Sequence, residues 1–366
     1  MNKYLSADNE LSIKTLGKLQ QNNQRNIADQ SLLCLPHNWM KIANVNKPAK
    51  LHPLVFIVSC RHATNPLMNH YIRLLRLKDW AKNAFLFVPV FFAGKLFDLS
   101  RLTHLLSGFF AFSLIASTVY IINDYRDMED DRKHPIKSKR PLAAGKVKPA
   151  VAVLITCFAI PCGFLLAFFA DETYRFIAIL AVYFIINIMY SLGLKNISIL
   201  DIIIIASGFV LRVKGGGYIA NVDVSPWLTL MVLLLALFMA IGKRRDDILL
   251  KLQTGLDMRR SIKGYNLDFL NTMLGLLSAI IIVTYIMYTL SPKTYERLQN
   301  YHLYYTSIFV IAGLMRYLQI ILVHNKAGSP TEVLYKDRFI QATLLLWIAS
   351  FYVILYLKNI TIFEVV

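Results

Sequence analysis

Residues 102–131 read LTHLLSGFFAFSLIASTVYIINDYRDMEDD. The part up to Ile122 is apolar over about 20 residues, the length that crosses a bilayer as a helix, and acid begins immediately after it. Asn123, Asp127 and Asp131 stand at i, i+4 and i+8, with Asp124 three before Asp127. A helix therefore places four oxygen-bearing side chains on roughly one face. So much like charge at one point is costly unless a cation neutralises it, and hard oxygen donors with room for water suit Mg²⁺. A basic run follows at once: Arg132, Lys133, His134, Lys137, Lys139 and Arg140. An acidic cage for a metal beside a fork of cations matches the needs of a pyrophosphate group. A solvated, charge-mixed loop would explain Glu129 and Asp130. It would not explain carboxylates that start on the last turn of an apolar helix.

The rest of the chain agrees with a membrane setting. It has 366 residues, 56% of them hydrophobic, and a mean hydropathy of +0.48. Apolar runs recur at residues 84–94, 102–122, 150–170, 174–192, 197–213, 227–241, 269–290, 304–323 and 339–357. Outer-membrane barrels show short alternating segments instead. The expected fold is all-α, a polytopic transmembrane bundle of about nine spans. Residues 71–83 mix apolar residues, cations and Trp80 as an interfacial helix does. Residues 1–67 differ: polar, Asn- and Gln-rich and broken by prolines, they read as a partly disordered cytoplasmic extension before a catalytic domain over 68–366. Cys157 and Cys162 fall in an apolar run as small buried thiols, and the four cysteines form no metal-ligand pattern.

The formal net charge of +18 fits both positive-inside bias and an anionic substrate. Nucleic acid is not expected, because the cations adjoin membrane spans without a soluble reading module. Cations collect at 126–146, 195, 243–263 and 326–338, after alternate spans. That pattern places those loops and the N-terminus in the cytoplasm and the C-terminus outside, in an inner (cell) membrane. All the chemical loops then open on the cytoplasmic side. Tyr190-Ser-Leu-Gly-Leu-Lys195 leaves the fourth span, and Asp201 lies close to the start of the fifth. An intramembrane carboxylate is expensive and suggests function by default, although a structural Lys195–Asp201 pair is the plain alternative. Residues 215–217, three glycines, read as a helix breaker of structural role. Lys243 and Arg244 end the sixth span.

Asn123-Asp124-x-x-Asp127-x-x-x-Asp131 resembles the first aspartate-rich motif of the UbiA superfamily of intramembrane prenyltransferases. Further stretches resemble its decaprenyl-phosphate phosphoribosyltransferase branch: Asp131-x-x-His134-Pro-x-Lys137-x-x-Arg140-Pro-Leu-Ala-Ala-Gly145, Leu77-x-x-Trp80-x-Lys82-Asn83, Tyr190 to Lys195 with Asp201, and Gly242-Lys243-Arg244. A DxxxD motif is missing after Asp201, where four isoleucines follow, and that departure counts against a prenyl diphosphate held by two metal clusters. The resemblance implies Mg²⁺-dependent transfer of phosphoribosyl from phosphoribosyl pyrophosphate to a polyprenyl (decaprenyl-type) phosphate. Asp124, Asp127 and Asp131 would be catalytic and, with Asn123, would hold the metal. Arg132, Lys137, Arg140, Lys195, Lys243 and Arg244 would hold phosphates, with Asp201 beside them, and Lys82 would meet the lipid phosphate. His134 and Tyr190 would orient a phosphate, or be ordinary packing residues. The rival within the fold is prenyl transfer from a polyprenyl diphosphate to an aromatic or polar acceptor. A rival from another class is a transporter of an anionic solute, gated by paired charges. Homo-oligomerisation is compatible with the sequence, which does not specify it.

Overall fold

The computed structural model describes residues 66–133, 137–255, 260–298, 302–324, 333 and 336–356. The extension read over residues 1–67 therefore lies almost wholly outside the described residues, as does His134. The described chain is helical. A short amphipathic helix α1 (Pro66–Leu74) leads into 3₁₀ turns at Leu77–Phe87 and the five-residue α2 (Val88–Phe92). The long helices follow: α3 (Leu99–Arg126), α5 (Pro149–Ala170), α6 (Arg175–Leu192), α7 (Leu200–Ile219), α8 (Pro226–Thr254) and α9 (Leu267–Leu290). Between α3 and α5 sits the short α4 (Met128–Lys133). After α9 come α10 (Pro292–Leu298), α11 (Ser307–Leu318) and α12 (Arg338–Tyr356).

Among the described residues, seven helical segments are long and apolar enough to cross a membrane, the last being His302–Val323. An eighth apolar stretch, Arg338–Ile354, is shorter. The expected count of nine is not reproduced, and the discrepancy centres on residues 84–94. They form 3₁₀ turns and one short helix, because Pro89 sits at the start of α2 and removes a backbone donor.

Two boundaries differ for reasons of packing. The glycines at 215–217 do not break α7; they are buried inside it. A Cβ on Gly216 would stand 1.9 Å from the Leu86 carbonyl oxygen, so glycine here serves close approach of the 3₁₀ segment. The run from Gly242 to Asp247, expected as a loop, continues α8 to a Gly255 cap at φ 71°. Two of its charges bond within the bundle: Arg244 donates to Asp247 at 3.0 Å and Arg245 to Asn271 at 2.8 Å. Cys157 and Cys162, expected as buried, lie exposed on the outer face of α5.

The core falls into three main clusters, one of them gathering Phe92, Tyr285, Tyr288 and Phe351. Of the other two, one packs α3, α5 and α6 around Phe112, Ile115 and Phe176. The other packs α8, α9 and α11 around Phe238, Leu270 and Tyr317. A smaller cluster of Leu74, Ile121, Leu142, Val147 and Ala152 clips α1 and the loop before α5 onto the last turns of α3. That clip positions the cations described next.

Candidate active site

The acidic stretch behaves as its spacing requires. Helix α3 ends at Arg126, but the ladder runs on through the break: Asp127 N–H donates to Asn123 O at 3.0 Å and Asp131 N–H to Asp127 O at 2.8 Å. The four oxygen-bearing side chains sort into two pairs, each bridged by a cation from another segment. Lys195 Nζ donates to Asn123 Oδ1 at 3.1 Å and to both Asp127 oxygens at 2.7 and 2.6 Å. Arg140 Nη1 donates to Asp124 at 2.9 Å and to Asp131 at 2.6 Å. Asp124 also accepts two bonds from Arg76 Nη2, at 2.5 and 2.8 Å. Asp124 and Asp131 are buried, whereas the Asp127 side chain keeps 29% of its surface. Burial pushes the Asp131 carboxyl above the ordinary carboxylate range, against the pull of Arg140 and Lys137.

Backbone strain accompanies this arrangement. Arg76 adopts left-handed φ 51°, ψ 48°, a conformation that costs a non-glycine residue roughly 1–2 kcal/mol. It turns the chain so that the guanidinium reaches Asp124 while lying 4.7 Å over the Tyr120 ring. Strain held in place by such contacts is common where a site is pre-organised. Ile199, with φ 70°, is another strained position; its N–H donates to the Tyr265 hydroxyl.

Asp201 does not pair with Lys195. It is fully buried and accepts from Arg244 Nε at 2.7 Å, Ser261 Oγ at 3.0 Å and Tyr265 Oη at 2.7 Å. Burial together with that bond pushes the Tyr265 hydroxyl up to about 12. Arg244 is buried too, and its Nη2 has no hydrogen-bond partner. Tyr190 stands within electrostatic reach of Arg244, and Lys243 is exposed on the same turn of α8. Arg132 points to Glu129 at 2.7 Å on the surface, apart from the paired carboxylates. Lys82 donates to Asp79 at 2.7 Å and lies 6.0 Å from the Tyr120 ring centroid, so it shares that ring with Arg76.

Two residues escaped the sequence reading. Arg76 lay in a segment read only as interfacial. Arg212, inside α7, is 4% exposed; it donates to Asn83 Oδ1 at 2.7 Å, Gly208 O at 2.8 Å and Tyr183 Oη at 3.2 Å. Its guanidinium lies 4.6 and 4.9 Å from the Phe112 and Tyr183 ring centroids. Among the described residues no carboxylate pairs with it. An arginine in the middle of an apolar run was the available signal.

Among the described residues no three His, Cys, Asp or Glu side chains gather as a ready ligand set. The donor chemistry nonetheless fits a hard cation. All four donors are oxygens, three are anionic, and an ion that keeps waters and takes one or two carboxylates plus substrate phosphates needs no closed protein cage.

A bundle of apolar helices with acid and base paired at one end fits an integral membrane α-helical protein with a charged site where its helices end. Residues 84–256 match the model of the UbiA prenyltransferase family. The decaprenyl-phosphate phosphoribosyltransferase of Corynebacterium glutamicum is 30% identical over 292 residues, 79% of this chain and 87% of that protein. That of Mycolicibacterium smegmatis is 30% identical over 294 residues, 78% and 92% of the two chains. The chain belongs to the UbiA prenyltransferase family, on the branch of the decaprenyl-phosphate phosphoribosyltransferases. A UbiA homologue from Archaeoglobus fulgidus, solved with GPP and Mg²⁺, shares the fold at TM-score 0.58 and 22% identity, over 78% of this chain and 99% of that one.

Proposed function

We propose that this enzyme transfers phosphoribosyl from phosphoribosyl pyrophosphate to a polyprenyl phosphate and releases pyrophosphate. The observation that carries the reading is the pairing of each acidic couple with a cation from a separate segment: Lys195 for Asn123 and Asp127, Arg140 for Asp124 and Asp131. The names of the C. glutamicum and M. smegmatis relatives support it. In the reaction the bond from the ribose anomeric carbon to the pyrophosphate oxygen breaks, and a phosphate oxygen of the lipid forms the new bond. That oxygen is already anionic, so no strong general base is required.

Asn123, Asp124, Asp127 and Asp131 would hold a divalent ion, Mg²⁺, whose chemistry would be to offset negative charge on a pyrophosphate leaving group. Arg140, Lys195 and Lys137 bind phosphate oxygens, while Arg244 stays buried behind them. Asp201, saturated by three protein donors, holds Arg244 in place. Lys82 receives the lipid phosphate. Arg212 stands behind it, and its charge, matched only by neutral partners, extends a positive potential along the wall that an anion follows. The site opens to the cytoplasm, as the loop charges require. Residues 68–366 form the catalytic domain, and residues 1–67 carry none of the chemistry.

Mass spectrometry of the lipid product settles the reaction. Purified protein given phosphoribosyl pyrophosphate, a polyprenyl phosphate and Mg²⁺ yields a lipid heavier by one phosphoribosyl group. Consumption of a polyprenyl diphosphate, with no ribose entering lipid, overturns the proposal in favour of prenyl transfer.

A further inference from the structure

The bundle has a polar cavity at the end away from the acidic helix terminus. His104 on the first turns of α3 lines it, whereas Asn123 belongs to the last turn of the same helix. The cavity measures about 640 Å³ and is walled by the α5–α6 connection, the start of α6, the last turns of α7 and residues 221–224. Such a volume suits a small polar ligand.

Its charges are arranged in an unusual way. Lys214, half-buried near the end of α7, and Arg175, the first residue of α6, supply two cations; Glu172 and Asp223 supply two exposed carboxylates. Opposite charges lining one cavity ordinarily collapse onto each other, yet among the described residues none of these four forms an ion pair. Arg175 instead lies 5.9 Å from the Tyr218 ring centroid. The third carboxylate, Asp171, is already consumed: it accepts from Thr173 N and Oγ1 at 3.0 and 2.7 Å and from Phe176 N at 2.9 Å. What remains is two positive and two negative groups, each with unused hydrogen-bonding capacity. A ligand carrying only negative charge would meet two carboxylates. One carrying a phosphate and an amine satisfies both signs.

The surroundings say where such a ligand comes from. The cavity opens where apolar helices end, the depth of lipid headgroups. Beside it Phe168, Phe169 and Tyr174 form an exposed aromatic group, with centroids 5.7 Å apart for Phe168–Phe169 and 5.8 Å for Phe168–Tyr174. Tyr174 is held outward by a left-handed backbone, φ 59°. Aromatic side chains at this level pack against the upper acyl chain.

We propose that this cavity binds the headgroup of a zwitterionic phospholipid, its phosphate at Lys214 and Arg175 and its primary amine at Glu172 and Asp223. The site lies apart from the acidic end of the bundle and stands whichever reaction that end performs. The test is native mass spectrometry of the delipidated full-length protein, titrated with phosphatidylethanolamine or phosphatidylglycerol. Wild type retains the ethanolamine lipid about tenfold more tightly, the worth of one good charge-assisted contact. The K214Q/R175Q double variant loses that preference. E172Q/D223N reverses it towards phosphatidylglycerol, and because the two variants move selectivity in different ways, a general loss of folding cannot mimic the pair. Soluble glycerophosphoethanolamine at millimolar concentration displaces the lipid. Equal retention of the two lipids by wild type, unchanged preference in both double variants, or lipid selectivity untouched by the soluble headgroup overturns the assignment.

Discussion

Asp127 and Asp201 invite comparison. Both are carboxylates near the end of an apolar helix, and both meet a cation at 2.6–2.7 Å. Around Asp127 and Lys195 the side chains keep 29% and 21% of their surface; around Asp201 and Arg244 they keep 0% and 1%. The first pair can exchange partners with an arriving ion or phosphate. The second is sealed and receives two further protein donors. Ion pairing alone therefore does not separate a carboxylate that keeps access, as Asp127 does, from one that is sealed, as Asp201 is.

The largest effect expected from that contrast is on turnover. D127N and D131N each lower the rate by about 10²–10³-fold or more, the range for losing one pre-organised electrostatic group, while size-exclusion profile and helicity stay those of wild type. Appreciable turnover by both variants would break the distinction. Next comes D201N, whose damage falls on the fold: Arg244 Nε loses its buried carboxylate and keeps only Asp247 at Nη1, a cost of up to roughly 3–5 kcal/mol, read as a lower Tm in detergent, whereas D127N moves Tm little. A D201N protein of wild-type Tm and no activity would transfer Asp201 to the reacting set. R212Q sharpens the contrast further, since its buried charge is matched by no carboxylate. It raises KM for the polyprenyl phosphate about tenfold with less change in kcat, as for a lost binding interaction worth ~1.4 kcal/mol, and R212K recovers part of the loss.

The smallest effect belongs to a third kind of carboxylate, held by the backbone. Burial of Asp171 alone would raise its pKa, but bonds from Phe176 and Thr173 outweigh burial and hold the carboxyl below its ordinary value. A folded pKa below the unfolded one gives stability that is complete above the unfolded value, near ~3.9, and is lost as pH falls through the folded value. Thermal melts below about pH 4 will show wild type losing Tm faster than D171N, and parallel slopes would remove Asp171 from the acid response.

The acidic stretch was legible because two periodic signals coincide in it: an apolar run of bilayer length and carboxylates at helical spacing. The loop cations were legible by sign alone. Their partners were not, since Arg140 spans Asp124 and Asp131 only because Leu142 and Val147 pin its loop to Ile121, a contact between segments that spacing does not encode. Lys195 and Asp201 stand six residues apart, yet a strained Ile199 turns the chain between them and sends each to a different partner. Gly242 to Asp247 resembled a loop because five of its six residues are charged; the buried Asp201 on α7 and the half-buried Asn271 on α9 let the helix continue. The first apolar run was counted as a span on hydropathy, which does not register that a proline and a neighbouring helix together favour 3₁₀ turns.

The contact between Gly216 and the Leu86 carbonyl has a genetic corollary. Even a methyl group at position 216 would shove the 3₁₀ segment outward and drag Asn83 and Lys82 with it. An inactivating lesion there, silent in a search for charged residues, would act by displacing the segment that carries Lys82 rather than by removing a charge. Surveys of resistant or crippled alleles should count this glycine among the sites that matter.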